Sequence, residues 1–265
     1  MAPWVLYSAF QETLESRSGE WLEELGALAG GDWMDQDEWT RKGVRRWNIK
    51  LLIGMPIVAA ALFVCAGTVR WPMGWGFISV MTLSTLITTW MLLPTNPELL
   101  SERSGLQQGV KKWDLLLAPL MAHPPLISMI IGASALRFDW QPLLPGWLQW
   151  TGLVVSTAGL GFTTWAMYCN RYFSALVRIQ SERGHSVQTS GPYQWIRHPG
   201  YFGAFFWIAG TGAMGATPWA LVPAGVAVVA LVIRTALEDR TLHKELVGYA
   251  EYAQRVRWRL VPGVW

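Results

Sequence analysis

Charged residues are scarce in this chain. Asp, Glu, Lys and Arg make up 15% of its 265 residues, against about 25% in an average soluble domain. Five stretches, 51–69, 71–97, 115–136, 140–170 and 198–233, contain none of the four. Runs of that length leave no charged face for water, which excludes an ordinary soluble helical domain. Cysteine is nearly missing too. Cys65 and Cys169 lie in or at the end of apolar stretches expected at opposite sides of a bilayer, so neither a disulfide nor a paired-cysteine metal site is expected. The first 43 residues carry acids throughout and have no basic start followed by an apolar run, so no cleavable signal peptide is expected. There is no internal repeat and no low-complexity tract.

A bilayer core of about 30 Å needs about 20 helical residues. With Pro218 dividing the last charge-free stretch, six spans are expected near 47–69, 73–93, 113–136, 146–169, 200–216 and 218–233. The expected fold class is therefore all-α: a polytopic membrane helical bundle of about six spans, with a short C-terminal helical hairpin and a cytosolic C-terminal helix over about 235–256 that Gly248 weakens. The organisation reads as a cytosolic amphipathic N-terminal segment (1–46), a four-span bundle (47–169) and a catalytic region (170–265) made of a loop, the hairpin and the tail.

Orientation follows from the basic residues, which accumulate on the cytosolic side. With the N-terminus inside, cytosolic segments hold nineteen of the 21 Lys and Arg, and the outer loops hold only Arg70 and Arg137. An integral, multi-pass protein with both termini cytosolic is expected, in the plasma or inner membrane if bacterial. The net charge of +3 then reflects orientation, and no nucleic-acid partner is implied. Many of the eighteen Trp, among them Trp47, Trp71, Trp75, Trp113, Trp140 and Trp147, fall near span ends, where amphipathic rings favour the interface. Towards the N-terminus, Trp4, Leu6, Phe10, Leu14, Trp21, Leu22, Leu25 and Leu28 recur at rough helical spacing among acids until Gly30-Gly31. They read as one or two amphipathic helices on the cytosolic face, with a lid or partner-binding role as the alternative.

The chemistry concentrates near the hairpin. Gly191-Pro192-Tyr193 is a turn signal, and Pro199 after His198 suits the first turn of a helix. That helix start favours an anion, and Tyr193, Arg197, His198 and Tyr201 crowd around it. Arg234 and Glu238 are four apart and share a helix face, either as a surface pair or as functional groups at the membrane boundary. His123, beside Pro124-Pro125, reads as a kink histidine with a backbone partner.

The run His185-Ser186-Val187-Gln188, Gly191-Pro192-Tyr193, Arg197-His198-Pro199-Gly200-Tyr201, Arg234, Glu238-Asp239, Leu242, Gly248-Tyr249, Tyr252, Val256 and Arg259-Leu260 resembles the isoprenylcysteine carboxyl methyltransferase family. These are integral membrane enzymes that use S-adenosylmethionine, and the likeness is to the bacterial members. It covers about 170–265. Upstream, only Asn96-Pro97-Glu98-Leu99-Leu100 to Arg103 and Lys112-Trp113-Asp114 share it. The resemblance implies cofactor contacts from His185, Val187, Gln188, Tyr193, His198, Pro199, Tyr201 and Glu238, and a substrate contact from Arg234. Gln188 occupies a variable place in its run, so its contact is expected through the backbone.

The residue types fit that chemistry. S-adenosylmethionine carries a sulfonium, an ammonium and a carboxylate, for which Glu238, the helix start at His198 and the rings of Tyr193 and Tyr201 are suitable partners. A lipophilic acceptor would enter from the bilayer among membrane lipids. If it is a carboxylate it is already ionised, and Arg234 or Arg197 would orient it; an amine, phenol or thiol would need a base, His198 or His185. Three other readings stay open: a membrane reductase of the sterol or enone type with a reduced nicotinamide, a transporter, and a non-enzymatic assembly protein.

Overall fold

The computed structural model describes residues 36–105 and 107–265. The amphipathic segment expected over Trp4 to Leu28 lies outside the described residues. Thr40–Trp265 forms one compact unit. Among the described residues it is helical, with one isolated β-bridge between Ile196 and Trp258. The helices are α1 (Gln36–Ala66), α2 (Pro72–Thr95), α3 (Pro97–Glu102), α4 (Asp114–Ala122), α5 (Pro124–Arg137), α6 (Gly146–Cys169), α7 (Pro199–Met214), α8 (Leu221–Glu245) and α9 (Tyr249–Arg255).

Proline sets several of the boundaries. It occupies the first position of α2, α3, α5 and α7, where a missing N–H costs nothing. Pro124 and Pro125 cannot donate to the preceding turn, which divides the third expected span into α4 and α5. At that break His123 Nδ1 lies 2.7 Å from the Pro119 carbonyl, the backbone partner expected of a kink histidine.

Among the described residues, four helical segments are long and apolar enough to cross a membrane: Glu38–Ala66, Pro72–Thr95, Asp114–Arg137 and Pro218–Glu245. Large apolar side chains point outward from them, Trp90 at 78% exposure and Leu52, Leu116 and Val229 among others, as lipid-facing surface requires. The expected count of six therefore rests on α6, which is long enough but rich in Gly, Ser and Thr, and on α7, which has 16 residues.

Those two helices pack backbone to backbone. A Cβ on Gly159 would lie 2.6 Å from the Gly203 carbonyl oxygen, and one on Gly152 would lie 2.6 Å from that of Gly210. The reciprocal contacts are as close, so two glycine pairs seven residues apart define the seam. This is the close approach that small residues permit between apolar helices, and here it lies within one chain. Gly161, two residues beyond Gly159, meets nothing within 4 Å. On the far side, Leu62 of α1, Phe77 of α2, Met129 of α5 and Met214 of α7 form a buried apolar core.

The loop 96–113, the loop 170–198 and the chain after Arg234 gather at one end of the bundle. Lys111 N donates to the Val177 carbonyl at 2.9 Å, and Arg197 N and His198 N donate to the carbonyls of Trp258 and Arg259 at 2.9 and 3.0 Å. The continuous helix expected to about 256 ends instead at Glu245. Gly248 takes a left-handed φ of 82°, open to glycine without strain, and α9 starts directly after it.

Replacing Gly159 with Ala is expected to destabilise the folded protein by about 1–3 kcal/mol, read as a lowered thermal midpoint in detergent. Gly161→Ala, on the open face of the same helix, should leave the midpoint unchanged.

Candidate active site

A cavity of about 420 Å³ opens where the three segments meet the ends of α4, α7 and α8, within the size range of small-molecule sites. Its lining combines two kinds of residue. Ala118, Met121 and Ala122 of α4 and Ala204 of α7 supply apolar lining, and His185, Gln188, Tyr193, His198 and Glu238 supply polar and aromatic lining.

Two buried carboxylates build the polar part. Asp114, fully buried at the start of α4, accepts from Arg234 Nε at 2.6 Å and Nη2 at 2.8 Å, and its Oδ2 also accepts the Val177 N–H at 2.6 Å. Arg234 Nη2 donates further to the Ala175 carbonyl at 2.8 Å, and the guanidinium lies 5.3 Å from the Tyr201 ring centre. A buried ion pair holds only when its remaining donors and acceptors are filled, and the loop backbone fills most of them here.

Asp239, one residue past Glu238, accepts from Arg197 at 2.9 Å, Arg259 at 2.8 Å and the Tyr249 hydroxyl at 3.0 Å, with His198 Nε2 at 3.3 Å. It thereby ties the end of the loop, α9 and the C-terminal tail to α8. Tyr201 donates its hydroxyl to Glu238. Arg234 and Glu238 share a helix face, as their spacing requires, but neither takes the other as its partner.

Aromatic rings form the remaining wall. Tyr172 stacks on His185 at 4.6 Å, His198 on Tyr201 at 5.8 Å, and Tyr249 packs against Tyr252 at 5.6 Å. Tyr252 donates to the Tyr193 carbonyl at 2.7 Å, and the Tyr193 hydroxyl accepts from Asn170 at 3.1 Å. Burial first, then the nearby Arg183 and Arg178, push the His185 imidazole down to about 4, so it is neutral at pH 7. Burial likewise raises the Tyr193 and Tyr249 phenols, which stay protonated.

Of the residues singled out from the sequence, His185, Val187, Gln188, Tyr193, Arg197 and His198 line this cavity, as do Tyr201, Arg234 and Glu238. Pro199 does not. It is buried at the first position of α7 and shapes the helix start. Asp239, Asp114, Arg103, Tyr249 and Tyr252 stood within the resembling stretches of sequence, but sequence reasoning assigned none of them a role. Asp114 carried one signal, an acid at the head of a charge-free stretch with no basic residue nearby in sequence on its apolar side.

The fold and this site define a membrane-embedded helical enzyme, one cavity lined by both charged and apolar residues. A sequence profile of the Isoprenylcysteine carboxyl methyltransferase (ICMT) family matches residues 150–244. Protein-S-isoprenylcysteine O-methyltransferase B of Arabidopsis thaliana is 30% identical over 143 residues, covering 53% of this chain and 70% of the plant protein. The Homo sapiens and Mus musculus proteins named Protein-S-isoprenylcysteine O-methyltransferase are 34% and 33% identical over 118 residues, 42% of this chain and 40% of theirs. The chain belongs to the isoprenylcysteine carboxyl methyltransferase family, a family of membrane methyltransferases.

Removing Asp114 leaves Arg234 buried without its counter-ion. Asp114→Ala is expected to cost about 3–5 kcal/mol, and pairing Asp114→Leu with Arg234→Met should recover most of that in a denaturation series. A second expectation concerns acid. Because the His185 pKa is depressed in the folded protein, its contribution is intact above about 6.5 and is lost as pH falls towards 4. Thermal midpoints of His185→Gln should therefore fall less steeply than the parent's between those pH values.

Proposed function

We propose that this protein transfers the methyl group of S-adenosylmethionine to an anionic oxygen of a lipophilic acceptor that enters from the bilayer, an isoprenylcysteine carboxylate being the form the relatives' names supply. The observation that carries this reading is the single cavity with a charged, aromatic part beside an apolar part, since a polar donor and a lipid-borne acceptor must meet in one space.

The donor set fits S-adenosylmethionine. Glu238 supplies an anion for its positive charge, the stacked pairs Tyr172–His185 and His198–Tyr201 supply flat surfaces, and the loop residues Val187 and Gln188 close the wall with Tyr193 behind them. Pro199 contributes by fixing the helix start. When bound, S-adenosylmethionine supplies a methyl carbon activated by the adjoining sulfonium: the acceptor oxygen bonds to that carbon, the carbon–sulfur bond breaks, its electron pair stays on sulfur, and no proton moves.

Charge disappears from both partners in this reaction, so a drier site speeds it. The residues here exclude water through burial of Tyr193, Tyr249 and Tyr252 and hold the reactants in contact, an alignment worth effective molarities of about 10⁵ M or more. With a carboxylate nucleophile no general base is required, in keeping with a His185 already neutral and packed on Tyr172. Arg234 presents Nη1, which has no hydrogen bond among the described residues, to the acceptor. Arg197 positions the wall through Asp239. In this reading both termini and the cavity lie on the cytosolic side, where the basic residues accumulate.

Isothermal titration of the detergent-purified protein with S-adenosylmethionine and S-adenosylhomocysteine tests the site. Both should bind the parent, and Glu238→Ala should lose at least tenfold in affinity while its thermal midpoint is retained. Equal binding by the variant would sink the assignment of Glu238.

A further inference from the structure

Four arginines line the cavity: Arg103, Arg178, Arg197 and Arg234. Three have carboxylates. Arg178 is held by Glu102 at 2.8 Å and Glu182 at 2.6 Å, Arg197 by Asp239, and Arg234 by Asp114. Arg103 has no ion-pair partner among the described residues. Its neighbour Glu102 has both oxygens engaged by Arg178.

The hydrogen bonds of Arg103 are equally thin. Nη1 donates to the Phe173 carbonyl at 3.3 Å, and the guanidinium lies 5.4 Å from the Phe173 ring centre. Its Nε is buried with no hydrogen-bond partner. A cation in that position is costly unless something neutralises it. Burial first, and then the charge of Arg234, lower the Arg103 pKa to about 10, so it remains protonated at pH 7 beside a second guanidinium.

We infer that Arg103, with the unengaged Nη1 of Arg234, forms the seat for the anionic group of the lipophilic acceptor. This inference rests on the methyl-transfer reading and adds to it a residue and a selectivity. A planar fork suits a carboxylate, and a site built around a cation with no ion-pair contact of its own rejects a neutral isostere because the charge is then left unpaired. Arg103 follows α3, whose Leu99 and Leu100 are fully buried, so the seat stands on a packed element. The apolar residues Ala118, Met121 and Ala204 of the same cavity leave room for the acceptor's hydrocarbon chain.

The test uses protein saturated with S-adenosylhomocysteine and two probes, N-acetyl-S-farnesylcysteine and its primary carboxamide, titrated against the parent, Arg103→Gln and Arg103→Met. The parent is expected to bind the acid at least tenfold more tightly than the amide. In the variants that preference should fall below threefold, with S-adenosylhomocysteine affinity within threefold of the parent's. Two neutral replacements guard against one that does not fold. Preference for the acid retained in either folded variant overturns the seat, and so does a parent that binds both probes alike or neither while still binding S-adenosylhomocysteine. A parent that binds neither S-adenosylmethionine nor its product overturns the methyl-transfer reading and this one with it.

Discussion

A buried carboxylate with its arginine governs this end of the molecule. Asp114 is fully buried at the head of α4, and Arg234 comes from the part of α8 where the apolar helix turns polar. Neither charge can stay there alone, because the desolvation cost of each is several kcal/mol. Together they still leave lone pairs and donors to fill, and the backbone of the loop fills them with the Val177 N–H and the Ala175 carbonyl. A segment with only two short 3₁₀ turns of its own is thereby held across two helices. Asp239 does the same one turn further along α8, drawing in Arg197, Tyr249 and Arg259.

The cavity is the space these ties leave open. Its charged wall comes from the loop and the polar end of α8, and its apolar wall comes from small residues of α4 and α7. The glycine seam matters here as well, since it sets how closely α7 lies against α6. Pro199 and Gly200 start that helix directly under the loop, with Gly200 so close to the Phe173 ring that a Cβ would lie 2.5 Å from it. Methyl transfer asks mainly for alignment and exclusion of water, and in the proposed reading a loop pinned by carboxylates over packed helices is what would supply both.

Much of this was legible in the residues. Charge-free stretches located the helices, Pro218 divided the hairpin, and the family motifs named side chains that do converge on one cavity. Gly248, expected as a weak point within one helix, instead follows the end of that helix at Glu245, and its left-handed φ starts α9, whose Tyr249 hydroxyl donates back to Asp239. Arg234 and Glu238 shared a face as their spacing required, but their partners, Asp114 and Tyr201, lie 120 and 37 residues away. Helical spacing reports neighbours on one helix only.

By itself the sequence determined the class of protein: long apolar runs must be helical in a bilayer, since every backbone polar group has to be satisfied within the segment, and the motif residues marked which end carries the chemistry. Only the tertiary structure decided which charges are compensated. Asp114, Asp239 and Glu102 each claim an arginine while Arg103 is left without a carboxylate among the described residues. Pairing across 42 to 120 residues depends on how helices pack and where loops fold back, and a charge's partner is set by distance and desolvation in three dimensions, which no local pattern encodes.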